Sequence, residues 1–180
     1  MKTITTGRLI IRRPRETDLH DFLAYRNDPE SLRLQPVRPM TDGEAARFLA
    51  KQATLEIGDE GGWIMFALEL KSGGRMIGEV GLYAEARPTS LGNIGWSIHP
   101  EYQRQGYATE AAPFLLTYAF EELDLHRVTS DRDASNVASA RIAERLGMRR
   151  EGHYRQAALR GGIWCDNYQY ALLRDEWLAR

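Results

Sequence analysis

The chain of 180 residues has one cysteine, Cys165, so an intrachain disulfide is excluded. A lone thiol fits a reducing, cytoplasmic setting, and it is more often a packed side chain than a nucleophile. Long apolar runs are missing too: none approaches the roughly 20 residues needed to cross a bilayer. The opening Met1-Lys2-Thr3-Ile4-Thr5-Thr6-Gly7 lacks the apolar centre of an export signal. A soluble, unexported protein is expected. Charge of one sign is absent: 24 Lys+Arg against 25 Asp+Glu leave a formal net charge of −1. No overall field then draws the chain onto nucleic acid or an anionic membrane. The arginines are scattered rather than gathered in one run. No Cys/His spacing suggests a metal site. Neither Gly-x-x-x-x-Gly-Lys-Ser/Thr nor Gly-x-Gly-x-x-Gly occurs, which weighs against an unrelated nucleotide-binding enzyme. Repeats, low-complexity tracts and linkers are also lacking, so residues 1–180 are read as one domain.

What is present is an ordinary globular balance, 43% apolar and 27% charged, with clear punctuation. Leu9-Ile10-Ile11-Arg12, ending at Pro14, reads as a first strand. Asp18 is placed to cap a helix to about Asn27, stopped by Asp28-Pro29. Thr41 with Glu44 three residues on resembles a capping box for a helix to about Ile57. Residues 63–70 and 75–83 are β-prone around the compact Ser72-Gly73-Gly74 connection. Further strands are expected at 93–99, 127–130, 148–154 and 163–173. Helices are expected at 106–123 and at 136–146, the latter stopped by Gly147. Pro113 removes an i→i−4 bond to Thr109, so a kink or a bonded water is predicted there. The order implies a mixed α/β sheet with helices on its faces.

Chemistry concentrates in residues 93–108. A β run enters a polar turn, then Gly106-Tyr107-Ala108, then a long apolar helix. Such a junction aims unpaired backbone N–H groups and the positive end of the helix dipole outward, which suits an anion. Gly106 permits close approach of a phosphate, small Ala108 keeps the next donor accessible, and Arg104 can add a charged contact. The structural alternative is a plain turn before a surface helix.

Gln103-Arg104-Gln105-Gly106-Tyr107-Ala108 resembles the pyrophosphate loop of the GNAT acetyltransferases. Asn136-Val137-Ala138-Ser139 with Gly147-Met148 resembles that family's second signature, and Gly7-Arg8-Leu9-Ile10-Ile11-Arg12 and Tyr170-Ala171-Leu172-Leu173 also fit. The resemblance covers nearly the whole chain, and the branch it most resembles holds the ribosomal-protein N-terminal (serine and alanine) acetyltransferases. It implies a mixed, mostly antiparallel sheet of about seven strands, splayed near the middle, with about four helices on its faces.

By that resemblance the ligand is acetyl-coenzyme A and the activity is N-acetyl transfer to a primary amine by direct attack in a ternary complex. Pantetheine would lie along Trp96, Ser97 and Ile98, and the pyrophosphate on the N–H groups from Arg104 to Thr109. Gln103, Gln105, Tyr107 and Ala108 belong to the same loop. Asn136 would bond the pantetheine arm, with a helix N-cap as its structural alternative. Arg141 either faces the coenzyme's phosphates or is a surface arginine. Many family members place a tyrosine where this chain has Ala143. Ser139 instead matches the serine that protonates the leaving thiolate in the ribosomal-protein branch. An acidic residue common in the family is replaced by Asn93. Glu79 is then the candidate base, its structural alternative being an outward-facing, solvated glutamate; His99 and Tyr154 are weaker candidates. A non-catalytic coenzyme-A sensor or partner-binding protein is the rival function. The acceptor, a protein N-terminus or a small-molecule amine, would be shaped by residues 32–39, the early helices, 83–92 and 154–163. A homodimer is open by analogy, and no metal, nucleic acid or membrane is expected.

Overall fold

The computed structural model describes residues 3–33, 35, 37–57 and 61–180. Leu34 and Pro36, within the segment expected to shape the acceptor site, therefore lie outside the described residues. The strands are β1 (Ile4–Thr5), β2 (Leu9–Arg12), β3 (Gly62–Leu70), β4 (Met76–Ala84), β5 (Leu91–Ile98), β6 (Arg127–Asp133), β7 (Arg149–Arg160) and β8 (Ile163–Leu173). They form one sheet in the order β1-β2-β3-β4-β5-β6-β8-β7. Neighbours are antiparallel except β5 and β6. The mixed, mostly antiparallel sheet is as expected; the strand beyond the anticipated seven is the two-residue β1, too short to leave a pattern.

The helices are α1 (Leu19–Arg26), α2 (Pro29–Arg33), α3 (Asp42–Thr54), α4 (Tyr107–Ala111), α5 (Pro113–Thr117), α6 (Val137–Arg145) and α7 (Arg174–Leu178). They cover both faces. Leu82, Ile94, Val128 and Tyr170 meet α4, α5 and α6 in the larger core. Met65, Ala67 and Met76 meet Phe22, Tyr25, Ala45 and Leu49 of α1 and α3 in the smaller one. Fully buried side chains such as Phe22 and Phe66 each contribute about 1.5–3 kcal/mol by leaving water.

Local chemistry explains most boundaries. Glu44 N donates to Thr41 Oγ1 (3.3 Å) and Thr41 N to Glu44 Oε2 (2.9 Å), so the capping box opens α3. That helix stops at Thr54, short of Ile57, where Leu55 turns extended. Asp18 does not cap α1. It ends a short 3-10 turn, is buried, and accepts from Arg15 N (2.7 Å) and from Arg12 (2.7 and 2.8 Å). The buried Arg12 guanidinium outcompetes the helix start for that carboxylate. Pro29 ends α1 as expected but also begins α2, where a missing N–H costs nothing.

The segment 106–123 is not one regular helix. Ala112 N still bonds Ala108 O (2.9 Å), Pro113 opens α5, and a π turn spans Tyr118–Glu122, closed by Leu123 N to Tyr118 O (3.1 Å). Pro113 has no N–H to offer Thr109 O, and Ala112 before it keeps helical angles (φ −61°, ψ −32°). Asn136 and Gly147 bound α6: Met148 N donates to Ala143 O (3.0 Å) and Gly147 N to Glu144 O (2.9 Å). Two of the later strands, β6 and β7, are longer than expected at one end, whereas β8 has the expected bounds. β6 continues to Asp133 and β7 to Arg160, joined to β8 through Gly161-Gly162. The register between β7 and β8 shifts twice, near Gly152 and between Tyr154 and Ala158.

Candidate active site

The site begins where the sheet parts. β5 and β6 pair only at Leu91–Arg127, Gly92–Val128 and Asn93–Thr129. Beyond that, β5 stays bonded to β4 as far as Ile98–Gly78, and β6 to β8 as far as Asp133–Asn167. Each strand thus keeps its outer neighbour while separating from the other. Ser130 Oγ donating to Ile94 O (2.7 Å) is, among the described residues, the last hydrogen bond from β6 to β5. Peptide groups of residues 95–98 that would bond to β6 face a gap instead. Gly78 sets the outer wall: a Cβ there would stand 2.3 Å from Ser97 O, so only glycine lets β4 approach β5 this closely.

The loop after β5 is held by its own glutamines. Gln103 Nε2 donates to Ile98 O (3.0 Å) and Gln105 Nε2 to Glu101 O (2.9 Å). Gly106 has φ +84°, which suits glycine, and residues 103–106 are exposed. Glu110 N bonding to Gly106 O (3.0 Å) starts α4, so the preceding N–H groups are the orphan donors of a helix start. One residue the sequence reading did not place here is Arg8. Its Nη1 donates to Gln105 O (2.9 Å), its Nε to Glu110 Oε2 (2.7 Å), and its guanidinium lies 4.3 Å from the Tyr107 ring centre. Burial would raise the Glu110 carboxyl, but hydrogen bonds from Thr6 and Arg8 outweigh it and hold the group below its usual range. The Gly7-Arg8 pair before the first strand was the available signal.

Across the gap, Asn136 Oδ1 accepts from Ser139 N (3.0 Å), so the helix-cap role is realised. Ala143 is fully buried and Arg141 is exposed. Ser139 Oγ accepts from Arg132 Nη1, and the same nitrogen donates to Ser139 O (3.0 Å). Arg132 also donates to Ser130 Oγ and lies 4.7 Å over the Trp96 ring, linking β6 and α6 to β5. Burial lowers the Arg132 guanidinium to about 10, against the opposing influence of Tyr170 and Asp131.

On the opposite face, Glu79 stands opposite Ser97 in the β4–β5 register. It is not an outward-facing, solvated glutamate: it is 6% exposed because α1 lies on this face of β4. Tyr25 Oη donates to Glu79 Oε2 (2.8 Å), and Arg26 Nη1 is 3.9 Å from Oε1. Burial raises the Glu79 carboxyl above its usual range, with Arg26 and Tyr25 opposing. Ser97 Oγ accepts from Gln35 Nε2 (3.0 Å). On the same alternation, Tyr83, Asn93, Thr129, Asp131 and Gln169 line an open pocket of about 420 Å³. Asn93 Nδ2 bonds Thr129 Oγ1 (2.9 Å) and Asp131 Oδ2 (2.7 Å) there. Tyr154 reaches its edge through Gln169 (3.2 Å). His99 Nδ1 accepts from Glu101 N (3.3 Å), which occupies it in the turn. Among the described residues no three His, Cys, Asp or Glu gather to hold a metal ion, and no helix is long and apolar enough to cross a membrane.

Residues 8–149 match the model of the acetyltransferase (GNAT) domain. The chain is 34% identical over 174 residues to an uncharacterized N-acetyltransferase, YnaD, of Bacillus subtilis, covering 97% of this chain and 98% of the relative. It is 25% identical over 179 residues to the ribosomal protein uS5-alanine N-acetyltransferase of Escherichia coli, covering 97% and 92%. A crystal structure of a GNAT-family acetyltransferase from Bacillus anthracis superposes with a TM-score of 0.82 at 29% identity, covering 97% of this chain and 100% of the other. With a parted sheet, a glycine-started helix and a family match over most of its length, the chain belongs to the GNAT acetyltransferases and is an N-acetyltransferase, with a ribosomal-protein alanine N-acetyltransferase among its relatives.

Proposed function

We propose that the chain acts as one domain to move an acetyl group from acetyl-coenzyme A to a primary amine, by direct attack in a ternary complex. The observation that carries this reading is the gap beyond Asn93–Thr129, with Glu79 opposite Ser97 on one side and Ser139 tied through Arg132 to Trp96 on the other. The pantetheine arm lies along Trp96, Ser97 and Ile98. The pyrophosphate rests on the N–H groups of residues 104–109, with Arg104 beside it and Arg141 within the same reach. Asn136, whose oxygen caps α6, offers its amide nitrogen to the pantetheine.

The chemistry follows from these placements. Glu79 takes a proton from the incoming ammonium, directly or through a water, and burial makes its carboxylate hold that proton more tightly than an ordinary glutamate would. The amine nitrogen then attacks the thioester carbon, forming the C–N bond. A backbone N–H of β5 receives the oxyanion. As the oxyanion collapses the nitrogen gives up its remaining surplus proton to water, the C–S bond breaks, the sulfur leaves with the electron pair, and Ser139 supplies its proton.

For the acceptor, we infer the α-amino group of a protein in preference to a small-molecule amine. The relative from E. coli acts on an alanine of ribosomal protein uS5. The pocket lined by Tyr83, Asn93, Asp131 and Gln169 is open and polar, which suits a peptide end. Thiol release from acetyl-coenzyme A, measured across peptides with N-terminal Ala or Ser, polyamines and aminoglycosides, tests both parts. Turnover with peptides is expected. Tight coenzyme binding without thiol release from any amine would overturn the reading in favour of a coenzyme sensor.

A further inference from the structure

Among the described residues Arg132 is a buried cation with no carboxylate at ion-pair distance. It is 7% exposed, and its Nε is buried without a hydrogen-bond acceptor. Three other described arginines also have such an Nε, but each has a carboxylate partner: Arg26 with Glu79, Arg160 with Asp133 and Arg174 with Asp124. The equally buried Arg12 has two, Asp18 and Glu69. Around Arg132 the described partners are the hydroxyls of Ser130 and Ser139, the Ser139 carbonyl, and the faces of Trp96 and Tyr170 at 4.7 and 5.5 Å. The nearby titratable groups are Asp131 on the other face of β6 and Tyr170, whose hydroxyl donates to Glu144.

Leaving a guanidinium without a counter-charge costs folding energy that a neutral side chain would avoid. Such a cost is recovered where negative charge appears only during reaction, since a fixed charge is then already in place. The position identifies that charge. Arg132 donates to Ser139 Oγ, so the serine's own hydrogen is turned away from the arginine and is free to be given. A neighbouring cation also makes that proton easier to release.

We infer that Arg132 is a positioning residue for the acetyl transfer, holding and polarising Ser139 so that it protonates the departing coenzyme-A thiolate. The inference rests on the donor site and on the role of Ser139 proposed above. As the C–S bond breaks, the pair stays on sulfur. The proton passes from Ser139 Oγ to sulfur, and Arg132 offsets the negative charge on whichever atom lacks it. Ser139 is then reprotonated from solvent after coenzyme A leaves.

Ultraviolet absorbance of the thiolate, followed against pH for coenzyme A bound to the enzyme, gives a readout independent of turnover. In the wild-type enzyme the bound thiol should ionise below the value of free coenzyme A titrated in the same buffer. In Arg132→Gln it should return towards that value, while Arg132→Lys keeps part of the difference. On Arg132→Gln kcat should fall by about 100-fold, the order seen when one charge-stabilising donor is removed, with KM for acetyl-coenzyme A changed only a few-fold. Thermal stability should not fall, because the unpaired charge is gone. An unchanged thiol titration or an unchanged kcat in Arg132→Gln overturns the inference. So does wild-type transfer faster from succinyl- than from acetyl-coenzyme A and lost in Arg132→Gln, which would make the arginine's partner an acyl carboxylate. Ser139→Ala separates the two readings. Full kcat in Ser139→Ala beside a shifted thiol in Arg132→Gln refutes the serine's role and the relay through it. A slow Ser139→Ala beside a normal Arg132→Gln refutes the arginine alone. No coenzyme binding to the wild type refutes both.

Discussion

Tyr25 Oη donates to Glu79 Oε2 across 2.8 Å, joining α1 to the middle of β4 through two side chains that are both nearly sealed from water. Burial, then the neighbouring carboxylate, raises the tyrosine well above its usual range. The phenol therefore stays protonated and keeps donating, while Glu79 is held above the ordinary carboxylate range by burial.

Glu79→Gln should lower kcat/KM strongly and abolish its acid limb. In the wild type that limb should lie above the value of about 4.3 typical of a free glutamate, since the base works only when ionised. Stability moves the other way. The native carboxyl holds its proton more tightly than the unfolded one, so stability falls as pH rises from the ordinary glutamate range through the raised native value. Glu79→Gln should remove that fall. Initial rates and urea unfolding over a pH series check both.

Gly106→Asp should abolish coenzyme-A binding, measured by calorimetry, because a carboxylate would stand where the phosphates approach. A side chain at φ +84° also costs about 1–2 kcal/mol. Its Cβ would meet only Arg8 Nη2 at 3.5 Å, an ordinary contact. The folded protein should therefore persist, with a modestly lower thermal midpoint. Unchanged affinity would remove the loop from the donor site.

Arg12→Met leaves Asp18 and Glu69 buried without their shared cation. Removing one partner of a buried ionic group costs about 3–5 kcal/mol. Urea denaturation should show a loss of that order, and a loss below about 1 kcal/mol would refute the account of this network.

Thr41→Ala removes the acceptor for Glu44 N at the start of α3. A loss of about 1 kcal/mol is expected, read as a lower urea midpoint with an unchanged slope.

Features that depend on a few adjacent residues were legible in the sequence. Thr41 with Glu44, Asn136 before α6, Gly147 after it, Gly106 before α4 and the missing N–H of Pro113 all act within one turn of chain. Features that depend on distant packing were not. Glu79 alternates like a surface residue, and it is α1, with Tyr25 54 positions earlier in the chain, that encloses it. Arg132 is one arginine in a β run, with no spacing to mark it as unpaired. Asp18 has the right type for a helix cap, yet Arg12 and Arg15 claim its oxygens. The far half of β7, Arg155-Gln156-Ala157-Ala158-Leu159-Arg160, faces water over most of its length and lacks the apolar alternation that marks a half-buried strand.

The two register shifts in β7 bear on how readily this edge could pair with a foreign strand. As the last strand of the sheet, β7 presents twelve residues of backbone to any passing strand, a template for uncontrolled stacking. The slips near Gly152 and after Tyr154 break that template into pieces too short to extend. Arg149, Arg150, Glu151 and Arg155 add charges that a second copy would have to strip of water. An insertion or deletion that restored an even ladder along β7 should turn a well-behaved enzyme into one that precipitates with its fold intact.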